Sequence, residues 1–149
     1  MTKKINNPKI EALIKHLELS KEESDDLREE YDTEDREFIA NGGEYLVLTD
    51  SEADEECKER ILDSLWAFNS DFLADYTDLP IEIFEGLREK YEDGNEAVKK
   101  LIERSESGMN YFIKEAILSD GRGHFISHYD GEENEEKIGN ELYFIYRIN

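Results

Sequence analysis

The sequence predicts an α+β fold, a mostly helical single domain with a small antiparallel sheet of about three strands. Three observations carry this. Apolar residues recur at helical spacing in successive segments from residue 8 to about residue 118. One short apolar and aromatic run, Glu44-Tyr45-Leu46-Val47-Leu48, interrupts them as a strand. Beyond Ser119-Asp120-Gly121-Arg122-Gly123 the character turns extended.

In order along the chain, Ile10, Leu13, Ile14 and Leu17 mark a helix over 8–18. Ser20-Lys21-Glu22-Glu23 has the form of a capping box and opens a second helix. Asp32 or Thr33 caps a third, short helix through Phe38 and Ile39, stopped by Asn41-Gly42-Gly43, residues that tolerate positive φ. After the strand at 44–48, Thr49-Asp50-Ser51 caps a long helix over 51–66 with Ala53, Cys57, Ile61, Leu62, Leu65 and Trp66 on its apolar stripe. Asp78-Leu79-Pro80 starts a helix to about Tyr91, ended by Asp93-Gly94. Asn95 caps the next helix, and Ser107 the last. His124–Tyr129 and Leu142–Ile148 read as a strand pair joined by an acidic, glycine-containing connection. Residues 1–43 form an N-terminal helical segment and a possible appendage; 44–149 form the acidic α+β domain.

Charge narrows the function. Among 149 residues there are 39 Asp+Glu against 18 Lys+Arg, a net charge of −21. Aromatic residues at 11 % are too many for a disordered acidic tail. Direct binding to nucleic acid or to an anionic membrane is disfavoured, since both require a basic footprint. The one cysteine, Cys57, excludes an intramolecular disulfide framework, and its place on the apolar stripe reads as a buried structural thiol rather than a nucleophile. Met1–Pro8 lacks the apolar region of a secretory signal, and no apolar stretch approaches the ~18 residues of a membrane span. A cytoplasmic location is expected.

The excess is unevenly spread. Residues 44–93 hold 16 acids and 4 bases, net −12, against −5 before them and −4 after. Glu52, Glu55, Glu56, Glu59 and Asp63 recur at steps of three or four, which places such neighbours ~5–6 Å apart on a helix surface. Asp71, Asp75 and Asp78 continue the spacing, and Glu82, Glu85 and Glu89 repeat it. Two readings compete: a solvated helical face that only confers solubility, or a face that meets a basic protein groove. Asp50-Ser51-Glu52-Ala53-Asp54 also offers oxygens to a hard cation, but lacks the glycine and the twelfth-position Glu of an EF-hand loop.

Site chemistry is otherwise sparse. On a strand, His124 and His128 would point to one side and, with Asp120, Arg122 and Asp130 nearby, would suit a metal or acid/base pair. No third ligand at defined spacing accompanies them, and exposed residues on a sheet face are the simpler reading. Asp120-Gly121-Arg122-Gly123-His124 is a tight turn rather than a phosphate loop. No catalytic, cofactor-binding or metal-binding motif emerges, so a non-enzyme without cofactors is expected. Within Ser64-Leu65-Trp66-Ala67-Phe68-Asn69, Trp66 belongs to the core if buried and to a binding surface if exposed.

Tyr45–Glu55, Ser64–Asn69, Asp120–Phe125, Tyr129–Glu133 and the ending Tyr143–Asn149 resemble small acidic proteins of uncharacterised function encoded in bacteriophages and prophages. The likeness covers about 44–149 and transfers no catalytic residue. It implies a phage-related protein in a bacterial cytoplasm, where acidic proteins are similar in strategy to DNA-mimic anti-restriction and anti-CRISPR inhibitors. The expectation is an inhibitor whose carboxylates at Glu52, Glu55, Glu56, Glu59, Asp63, Asp71, Asp75 and Asp78 occupy the basic nucleic-acid groove of a host defence nuclease. The alternative is a phage accessory protein-binding module whose acidity only keeps it soluble.

Overall fold

A computed structural model describes residues 7–90 and 94–149, with the side chains of Glu89 and Lys90 left out of the description. The fold is α+β, with eight helices and one four-stranded antiparallel sheet among these residues. The chain divides into two compact units, Met1–Glu56 with Arg122–Asn149, and Cys57–Gly121.

The first unit holds α1 (Pro8–Leu17), α2 (Lys21–Glu30), β1 (Glu37–Ala40), β2 (Gly43–Leu48), the start of α3 (Asp50–Asp63), α8 (Arg122–Ile126), β3 (Asn134–Ile138) and β4 (Glu141–Arg147). Strand order is β1-β2-β4-β3. One sheet face sets Phe38, Ala40, Tyr45, Val47, Tyr143 and Ile145 against Ile10, Ala12 and Leu13 of α1 and Leu27 of α2. Leu46, Leu48, Phe144 and Tyr146, on the other face, are buried as well, which is why β2 and β4 read as apolar runs rather than alternating ones.

Three expectations are corrected here. Residues 37–40 are strand rather than helix: they alternate exposed and buried, and Asn41 (φ 48°) with Gly42 (φ 77°) make the two-residue turn of a hairpin in which Ala40 faces Gly43. The Asn-Gly pair that resembled a helix stop is a type I′ hairpin signal. Residues 124–129 do not form a strand: 122–126 are helix α8, closed by the Ser127 N–H donating to the Gly123 carbonyl at 2.8 Å. The partner of β4 is instead β3, within the supposed connection; Gly139 (φ 63°) turns that hairpin between Ile138 and Glu141. The sheet therefore has four strands, close to the expected three.

Both outer strands are blunted. The Ile39 N–H donates to the Tyr31 hydroxyl at 2.9 Å, and Lys15 Nζ donates to the Lys137 carbonyl at 3.1 Å. Side chains thereby occupy backbone groups that would otherwise template a further strand.

The second unit is helical: the rest of α3, a 3-10 turn at Leu65–Ala67, α4 (Ser70–Thr77), α5 (Ile81–Lys90), α6 (Gly94–Glu103) and α7 (Gly108–Asp120). Its core holds Leu65, Leu73, Phe84, Val98, Ile102, Phe112 and Ala116. Phe68, Phe72 and Tyr76 surround Phe112 with ring centroids 5.1–5.5 Å away, at angles of 60–79°. Cys57 is fully buried, as its stripe position predicts. Asn95 lies inside α6 rather than capping it, and Ser107 makes no capping hydrogen bond. The Asp93 helix stop lies outside the described residues.

Candidate functional site

The eight singled-out carboxylates fall into two chemical groups. Glu52 and Glu56 are half-buried and neutralised: Lys9 Nζ lies 2.7 Å from Glu52 and Arg36 2.9 Å from Glu56. Glu52 also completes a capping box, accepting the Thr49 N–H at 2.9 Å while its own N–H donates to Thr49 Oγ1 at 3.3 Å. Burial raises the Glu52 carboxyl, but the Lys9 ammonium and the Thr49 N–H outweigh it and hold the group below its ordinary range. These two residues fasten α3.

Glu55, Glu59 and Asp63 on α3, Asp71 and Asp75 on α4, and Asp78 just past its end are exposed. None of the six forms an ion pair with a described residue. Glu55, Glu59 and Asp63 stand at i, i+4 and i+8 of one helix, so they rise in steps of ~6 Å. Asp71 and Asp75 repeat the i, i+4 relation, and Asp78 ends α4 in the left-handed region at φ 60°. All but Glu55 belong to the second unit.

The sequence set Arg122 only beside the histidines, and its structural role was missed. Its guanidinium donates to Asp50 Oδ1 at 2.9 Å, Asp54 Oδ1 at 3.0 Å and Glu133 Oε1 at 2.8 Å, and lies 4.5 Å from the Phe144 ring centroid. Tyr146 donates its hydroxyl to the same Glu133 oxygen. Burial pulls the Arg122 pKa down, but the Glu133 hydrogen bond and the neighbouring acids outweigh this and hold it above the ordinary value. The Asp50 and Asp54 oxygens considered for a hard cation thus serve a guanidinium. A single arginine between two glycines, in a chain so acidic, was the available signal.

His124 lies on α8, and His128 beyond its end, so the shared strand face expected for them does not form. Both are exposed. No cluster of three or more His, Cys, Asp or Glu residues suited to a metal occurs among the described residues. Nor is any helix there long and apolar enough to cross a membrane. Trp66 is 52 % exposed, on the turn between α3 and α4.

Comparison with known proteins finds no matching family model, no similar curated protein and no similar solved structure.

Proposed function

We propose that this chain is a non-enzymatic, phage-encoded inhibitor that works in the bacterial cytoplasm by occupying the basic nucleic-acid-binding groove of a host defence nuclease. The observation that supports this reading is the set of exposed carboxylates without ion pairs among the described residues: Glu59, Asp63, Asp71, Asp75 and Asp78 in the second unit, with Glu55 one turn earlier on α3. Exposed like charges at i, i+4 cost a helix about 0.2–0.5 kcal/mol per pair, and a basic partner converts that repulsion into attraction. The ~6 Å steps along α3 compare with one charge per ~3.4 Å of axis on a DNA strand. The helix thus offers about one carboxylate for every second phosphate. Association is steered by charge and weakens as salt is added.

The test is competition. A panel of purified restriction and CRISPR effector nucleases is presented with labelled duplex DNA and this protein. Displacement of DNA from at least one nuclease is expected, and its loss in a Glu59→Lys, Asp63→Lys, Asp71→Lys, Asp75→Lys variant. Equal displacement by the charge-reversed protein overturns the mimic. It would favour the accessory binding module, for which exposed Tyr111 and Leu118, seven residues apart along α7, offer an apolar surface.

A further inference from the structure

Charge alone does not account for Trp66. The residue is 52 % exposed although the adjoining Leu65 is fully buried. The backbone beneath the indole is held from both sides. The Trp66 N–H donates to Asn95 Oδ1 at 3.2 Å, and its carbonyl accepts from Arg88 Nε at 2.8 Å. Asn95 is itself anchored, donating through Nδ2 to the Leu62 carbonyl at 2.6 Å. A large ring with two χ angles therefore stands on a fixed support, and little conformational entropy remains to be lost when something binds it.

The ring has an unused capacity. Guanidinium groups lie over Phe144, Tyr45 and Tyr129, all in the first unit, with Arg147 only 3.8 Å from the Tyr129 centroid. Indole binds cations better than either phenyl or phenol, yet no described cation lies over Trp66. Arg88 engages the backbone carbonyl instead. Asp63, three residues before Trp66, and Glu85, one turn before Arg88 on α5, are exposed carboxylates.

We propose that Trp66 is the anchor of the partner-binding surface and that its occupant is an arginine side chain of the basic partner. The guanidinium stacks on the indole while Asp63 and Glu85 accept from its N–H groups. Carboxylates already favour arginine somewhat through its bidentate fork. An indole favours the planar, weakly hydrated guanidinium. This inference rests on the reading that the partner is a basic protein.

Trp66 is the chain's one tryptophan, so emission and the indole N–H resonance report on this position alone. The full chain is titrated with nona-arginine and with nona-lysine, probes of equal charge. Nona-arginine is expected to perturb both signals and to bind at least about threefold tighter than nona-lysine. By calorimetry, Trp66→Leu weakens nona-arginine binding roughly 3- to 30-fold and nona-lysine binding less, so the arginine preference narrows, while Trp66→Tyr keeps most of both. Binding without an indole response, or Trp66→Leu binding as tightly as the parent, overturns the anchor. Failure of the two readings is separable. If Trp66→Leu still displaces DNA and the charge-reversed protein does not, the inhibitor reading stands and the anchor falls. An intact arginine preference in a protein that displaces DNA from no nuclease leaves the anchor and removes the inhibitor.

Discussion

At the scale of single residues, Gly123 and Arg122 hold the short helix α8 against residues 131–133 and the start of α3. A Cβ at Gly123 would lie 2.5 Å from the Gly131 carbonyl oxygen and 2.9 Å from the Glu133 nitrogen, backbone atoms that cannot turn aside. Gly123→Ala is expected to cost about 1–3 kcal/mol in urea unfolding. Gly86 is the contrast: it lies within α5 with nothing inside 4 Å, so Gly86→Ala should stabilise by about 0.5–1 kcal/mol. Arg122→Met leaves three carboxylates without their cation. Asp50 and Asp54 are mostly exposed and rehydrate, so the expected loss is about 2 kcal/mol, below that of a fully buried pair. The glycines flanking Arg122 marked a turn in the sequence. That one of them admits backbone so closely depends on residues 131–133, which no local pattern reveals.

At the scale of elements, the beginning of α3 joins a local signal to a distant one. Thr49 and Glu52 form a cap readable from four consecutive residues, whereas the Lys9 ammonium arrives from α1. Thr49→Ala should cost about 1 kcal/mol. The Glu52 carboxyl is held below its ordinary value of 4.5. Its contribution is therefore complete above that value and is lost as pH falls through the lower native one. Glu52→Gln is expected to be less stable than the parent at pH 7, with the gap narrowing as pH falls below 4.5 when denaturant midpoints are compared. The hairpins divide in the same way. β2 and β4 carry enough apolar and aromatic residues to be recognised alone. β3, Asn134-Glu135-Glu136-Lys137-Ile138, is a polar edge strand whose backbone is satisfied by β4. β1 was obscured because its Asn-Gly turn equally fits a helix terminus.

For the molecule as a whole, a net charge of −21 means that self-repulsion opposes folding and attraction favours a basic partner. Salt separates the two. Raising NaCl from about 0.01 M to about 1 M shortens the screening length from ~30 Å to ~3 Å. The thermal midpoint is expected to rise by a few degrees over that range, while the affinity for nona-arginine falls; a midpoint that falls with salt would mean that the ion pairs outweigh the repulsion. By unit, the first holds 24 acids and 10 bases and the second 15 and 8, so the excess concentrated at 44–93 is shared between them. The sequence by itself determined the α+β class, most helices, strands β2 and β4, and the sign and rough location of the charge, because periodicity, caps and composition act over a few residues. Only the tertiary structure decided that β1 and β3 are strands, that Glu52 and Glu56 are neutralised while Asp71 and Asp75 are not, and that Trp66 faces solvent. Those outcomes depend on partners far away in the chain, such as Arg122 reaching Asp50 across 72 positions, and a carboxylate's electrostatic role depends on whether such a partner is there.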